Sequence, residues 1–109
     1  MLKRVYRLGK RIKLTKGKIY NGQFFTLRIA KNGLLYNRYA FVVSKKVDKR
    51  AVVRNKIKRR LRSCIEKMFN KIKKGYDFIF YVKKRAASQV LEDLCLDVKA
   101  ALAKEELLK

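Results

Sequence analysis

The chain has no histidine, no proline and no tryptophan, and only two cysteines and eight carboxylates among its 109 residues. Without histidine there is no imidazole to serve as a base near neutral pH, and no histidine metal ligand. The carboxylates are Asp48, Glu66, Asp77, Glu92, Asp93, Asp97, Glu105 and Glu106, five of them in the last 18 residues. Those five fall on a predicted helix, where they form a solvated face. A two-metal nuclease needs several converging carboxylates, and Asp48 and Asp77 are poor material for one. By itself the chain is an unpromising catalyst.

Other absences narrow the setting. No apolar run approaches the ~20 residues of a membrane helix, and the N-terminal residues hold no apolar segment of the secretory kind. A cytoplasmic protein with no membrane partner is expected. Cys64 and Cys95 lie far apart, without Cys-x-x-Cys spacing, among apolar residues of predicted helices. Cysteine there commonly packs as a small hydrophobe. A disulfide would need an oxidising compartment, to which nothing in the sequence points. Free core thiols are the expectation.

What the chain has in abundance is positive charge. Lys and Arg number 31 against the eight acids, a formal net charge of +23. Self-repulsion on that scale favours any polyanion that neutralises it. Nucleic acid is the leading partner and an anionic membrane surface the second. Nearly half the residues are apolar, and the length suits one domain, residues 1–109.

Leu8, Ile12 and Leu14 give a short helical pattern that Gly17 would end. Residues 23–31 alternate as a strand, with Phe25, Leu27 and Ile29 on one face. Asn32-Gly33 is a turn dipeptide, and residues 38–44 form a second strand, expected to pair antiparallel with the first. A helix from about Ala51 to Lys73 carries Val53, Ile57, Leu61, Cys64, Ile65, Met68, Phe69 and Ile72 as one buried stripe. Gly75 closes it. Residues 76–82, apolar nearly throughout, read as a central strand. A last helix runs from Ala86 to about Glu106, with Ser88 as N-cap. This order predicts an α/β two-layer sandwich with helices on a small sheet. If the second and third strands are neighbours, the long helix is a crossover between parallel strands.

The charge concentrates at one place. Residues 45–62 hold ten Lys or Arg and one Asp, covering a basic loop and the first turns of the long helix. At about 100° per residue, Lys58 and Arg62 follow Arg54 along one flank of the buried stripe. Lys56 and Arg60 point to the other flank, with Asn55 and Arg59 between. Cations on both flanks suit two stretches of phosphate. Asn55 is not there for charge; its carboxamide can bond phosphate oxygen, a 2′-hydroxyl or a base edge. Basic residues in the first turn oppose the helix dipole, and such a helix is prepared for an anion. A solvated basic face is the plainer reading, but the i+4 acids that would neutralise it are missing.

Ser44-Lys45-Lys46-Val47, followed by Ala51-Val52-Val53-Arg54-Asn55-Lys56-Ile57-Lys58-Arg59-Arg60-Leu61-Arg62, resembles the signature of the bacterial ribonuclease P protein component. That hallmark is Arg-Asn-Arg-x-Lys-Arg on a helix after a Ser-Lys-Lys loop. Gly17-Lys18, Phe24, Asp77-Phe78-Ile79 and Ala86-Ala87-Ser88 fall in family order. The resemblance implies a small mixed sheet in αββ(β)αβα order with a left-handed βαβ crossover, as in domain 2 of ribosomal protein S5. It also implies the protein subunit of a ribonucleoprotein that removes the 5′ leader of precursor tRNA. One protein would join one RNA subunit, with catalysis and Mg²⁺ belonging to the RNA and substrate.

By motif, Arg54, Asn55, Lys58, Arg59 and Arg62 would contact RNA, supported by Lys45, Lys46, Lys56 and Arg60. Lys56 replaces the second Arg of the hallmark, keeping a charge without the bidentate fork. Lys10 and Leu14 stand where the family has cleft aromatics, and Leu27 where it has a Tyr. Phe25, Leu27 and Val42 are the candidates for the floor of a leader-binding cleft. The rival reading is a non-catalytic ribosomal or architectural RNA-binding protein, which shares the charge but predicts no leader discrimination.

Overall fold

A computed structural model describes residues 6–7, 17–88 and 91–109, without the side chains of 87, 88, 91 and 92. The expected N-terminal helix over Leu8–Leu14, the Ser88 cap and the place of Leu91 in the buried stripe lie outside what is described. The elements run β1 (Lys18–Asn21), β2 (Phe25–Lys31), β3 (Arg38–Val42), α1 (Ala51–Lys67), β4 (Tyr76–Val82) and α2 (Leu91–Lys104). Short 3-10 turns at Phe69–Lys71 and Lys84–Ser88 follow α1 and precede α2.

The four strands form one mixed sheet in the order β1-β2-β4-β3. β1 and β2 are an antiparallel hairpin. β2 runs antiparallel to β4, with Leu27 opposite Phe80 and Ile29 opposite Phe78. β3 runs parallel to β4, with Tyr39 opposite Phe78 and Phe41 opposite Phe80. The α1 crossover therefore joins parallel neighbours, as parallel strands require. The expected antiparallel pairing of β2 with β3 is not formed, because β4 lies between them. The reason is local. The Asn32–Asn37 connection does not turn back as a hairpin but passes over the start of β4. There the Asn32 amide donates to the Gly75 carbonyl (2.9 Å) and the Asn37 side-chain oxygen accepts the Tyr76 amide (2.8 Å).

Period-two alternation sorts the side chains of each strand onto two faces. Phe25, Leu27, Ile29, Tyr39, Phe78 and Phe80 share one core with Ile57, Leu61 and Ile65 of α1 and Leu94, Val98 and Leu102 of α2. Tyr39 stacks on Phe78 and Phe41 on Phe80, at 5.2 Å between centroids in each pair. Both helices therefore cover the same sheet face. The other face carries Thr26, Arg28 and Ala30 of β2, Asp77, Ile79 and Tyr81 of β4, and Arg38, Ala40 and Val42 of β3.

Several boundaries differ from expectation, among them the start of α2 at Leu91 rather than Ala86. β1 arises within a basic, weakly patterned stretch; Gly17 opens it at φ +119°, where an added Cβ would overlap the Ile29 carbonyl oxygen. α1 stops at Lys67 rather than Lys73. Its spacing continues through Ile72, but Ile72 is buried by an antiparallel bridge to Leu108, which needs extended backbone. Gly75, at φ +97°, belongs to the entry into β4 and not to the helix end.

Cys64 and Cys95 are bonded to each other, tying α1 to α2. This corrects the free-thiol expectation. Cys64 is buried as anticipated and Cys95 is half-buried; the stripes they occupy face one another, and their Cα atoms are 5.2 Å apart, within disulfide reach.

Candidate nucleic-acid interface

The interface begins in the loop that leaves β3. The Val47 amide donates to the Ser44 carbonyl (3.0 Å), closing a turn, and the Val47 side chain is buried in the core. With Val47 anchored, Lys45, Lys46, Lys49 and Arg50 are left exposed. Asp48 is the one acid here. Its carboxylate accepts the Arg50 amide (2.8 Å) and two bonds from the Arg50 guanidinium (both 3.1 Å). That guanidinium first, and the amide second, hold the carboxyl below its usual range.

Helix α1 starts immediately afterwards, with Arg50 as N-cap, no side-chain cap and no acid in its first turn. The positive end of the helix dipole is thus left to an external anion. Arg54 folds back, and its Nη1 donates to the carbonyls of Asp48 (3.1 Å) and Lys49 (2.8 Å). Its role includes fastening the loop to the helix, a duty that the charge pattern did not reveal. Asn55, Lys56 and Arg59 are exposed, whereas Lys58, Arg60 and Arg62 are half-buried beside the apolar stripe of Ile57, Leu61 and Cys64.

The two flanks of α1 face different surroundings. Cys64 places α2 beside the Lys56 and Arg60 flank. The row Arg54, Lys58, Arg62 lies on the other flank, toward the outer edge of β3. There Arg7 bridges Tyr39 in parallel register. Burial first, and the charge of Arg7 second, lower the Arg62 guanidinium from its ordinary value.

The sequence-assigned cleft residues divide. Phe25 and Leu27 have no exposed surface at all; they face the helices and cannot floor a cleft. Their place on the apolar side of an alternating strand is the physical reason, and that assignment is corrected. Val42 is 43% exposed on the opposite sheet face, and its register partner there is Tyr81, 36% exposed. Thr26 pairs with Tyr81 from the other side, and Arg28 with Ile79. Tyr81 was missed because β4 read as uniformly apolar. Its odd register relative to Phe78 and Phe80 was the available signal.

Among the described carboxylates, Asp77 and Asp97 are taken up by the fold. Asp77 is buried and held by Arg38 Nε (2.9 Å), Arg38 Nη2 (2.8 Å) and Asn32 Nδ2 (2.9 Å). Asp97 accepts the Phe24 amide (3.2 Å), and burial raises its pKa despite that bond and the charge of Lys83. Among the described residues no three His, Cys, Asp or Glu side chains cluster in a way that could hold a metal. No helix among them is long and apolar enough to cross a membrane.

Comparison with known proteins decides the lineage. The profile of the family described as Ribonuclease P matches residues 3–106. The chain belongs to the ribonuclease P protein family. A ribonuclease P protein component from Fusobacterium nucleatum is 39% identical over 90 residues, covering 83% of this chain and 72% of that one. One from Pseudanabaena is 36% identical over 94 residues, covering 85% and 81%. Among solved structures, a mutant RNase P protein of Staphylococcus aureus superposes with a TM-score of 0.85 at 25% identity, covering 96% of this chain and 92% of that one. The RNase P protein of Thermotoga maritima gives 0.75 at 26%, covering 82% and 84%. The four-stranded mixed sheet with its two helices is thus the fold of this family.

Proposed function

We propose that this chain is the protein subunit of ribonuclease P, binding both the RNA subunit and the 5′ leader of precursor tRNA. The observation that carries the reading is α1 itself. Its uncapped, acid-free N-terminus and its two basic flanks are mounted on a rigid core, next to a loop whose lysines are held outward by Val47. Folding fixes the positions of the cations beforehand, so less order must be imposed when RNA binds. Asn55, exposed among them, adds hydrogen bonding that a pure charge patch lacks. The family match favours this reading over a ribosomal RNA-binding protein.

Phosphodiester cleavage is assigned to the RNA subunit and its Mg²⁺, in keeping with the lack of a three-ligand cluster among the described residues. Its own residues bind and orient. We assign leader binding to the second sheet face, where Tyr81 offers a ring for stacking, Val42 an apolar neighbour and Arg28 a cation. Stacking on an aromatic contributes about 1–3 kcal/mol per base. One protein per RNA subunit belongs to the same proposal.

The test is reconstitution with a bacterial RNase P RNA at low Mg²⁺. Wild-type protein should stimulate 5′ leader removal from precursor tRNA. Tyr81→Ala should lose roughly tenfold or more of the preference for leader-bearing over mature tRNA, in keeping with the loss of one stacked base. No stimulation over the RNA alone would refute the subunit assignment. Stimulation with an unchanged preference would move the leader off this face.

A further inference from the structure

The N-terminal residues Tyr6 and Arg7 carry chemistry that the helix motif does not include. β3 is an edge strand of the sheet, and Arg7 pairs with Tyr39 along its outer side. Residues directly paired across strands project to the same face. Tyr39 faces the helices, so Arg7 is directed toward α1. Tyr6 fixes that position: its ring meets Phe69 edge-on at 4.9 Å and Tyr36 at 5.7 Å. Phe69 lies in the 3-10 turn that follows α1, so this contact ties the N-terminal segment to the end of that helix. An aromatic clamp thus holds an exposed Arg7 beside half-buried Arg62. The two guanidiniums are close enough for the charge of Arg7 to bear on Arg62.

We infer that Arg7 and Arg62 together form a phosphate-binding site for the RNA backbone, extending the α1 cation row past the end of its sequence motif. The inference rests on the RNA-binding reading of α1. Two guanidiniums brought side by side by the fold can grip one phosphate from two directions. Guanidinium forks match phosphate oxygens bidentately. Lys58 adds a third cation one turn before Arg62. From Arg54 to Arg62 the row rises eight residues, about 12 Å along the helix. Arg7 carries it onto the sheet edge, so one RNA strand can follow a continuous track.

The experiment measures binding to a bacterial RNase P RNA across a salt series for wild type, Arg7→Gln, Arg62→Gln and the double variant. Lys99→Gln, on the exposed side of α2, is the control. Each single change should weaken binding about tenfold and lower the log–log salt slope by about one. The double variant should be less impaired than the product of the two, since both residues grip one phosphate. Arg7→Lys should keep the slope while losing part of the affinity, which separates charge from any loss of fold. If Arg7→Gln binds like wild type while Arg62→Gln is impaired, the two-residue site is refuted and the α1 reading stands. Multiplicative loss in the double variant also refutes a shared phosphate. Failure of wild type itself to bind would overturn both.

Discussion

Tyr39 sits at the meeting point of core and polar network. Its ring is 2% exposed and stacked on Phe78, while its hydroxyl accepts a bond from Asn37 Nδ2 (3.1 Å). Burial dominates and pushes its pKa up to about 12, although the Asn37 bond pulls the other way. A neutral phenol favoured by the fold gives stability that is complete below the unfolded value of about 10 and is lost as pH rises through about 12. The loss should reach roughly 2–3 kcal/mol by that pH. Ultraviolet titration of wild type against Tyr39→Phe should show one phenol ionising only near pH 12; ionisation near 10 would contradict the burial argument. Glu106 makes a second residue-scale case. It is held at φ 59°, its amide bonded to the Ala103 carbonyl and that of Leu107 to the Leu102 carbonyl. This is a Schellman ending with a non-glycine residue in the left-handed position. Glu106→Gly should stabilise the protein by about 0.5–1 kcal/mol, read as a raised denaturant midpoint with an unchanged slope.

At the scale of elements, α1 and α2 are joined covalently by the Cys64–Cys95 bond across 31 residues of chain. Closing a loop of that length restricts the unfolded chain by about 3–4 kcal/mol. Chemical denaturation with and without reductant should differ by that amount, and Cys95→Ala should abolish the difference. An equal midpoint in both conditions would show that the bond adds nothing. The helices themselves were legible because apolar residues at threes and fours admit few alternatives, and the strand alternation of Phe25, Leu27 and Ile29 was legible for the same reason. Strand order was not. Alternation says which side chains share a face but not which strand lies beside which, and the β2–β4 pairing depends on polar bonds made by Asn32 and Asn37 across the top of β4. The cysteine bond was hidden likewise, since it depends on how two distant stripes dock. The cleft assignment failed because Phe25 and Leu27 were given a surface role on the apolar side of their strand. The side opposite, with Val42 and Tyr81, carries the exposed groups.

For the whole molecule, the governing fact is how +23 charges are distributed over a small body. The acids gather on α2 and at its end, while the loop at residues 45–50, α1 and the β3 edge are basic. That asymmetry orients the protein toward a polyanion before contact and makes its affinity depend steeply on salt. The most direct test compares the binding of a bacterial RNase P RNA by wild type and by Lys56→Gln/Arg59→Gln across a salt series. Both side chains are exposed, so the fold should be retained. The log–log slope should fall by about two, one for each phosphate contact removed. A slope equal to that of wild type would place the RNA elsewhere than on α1 and contradict the account.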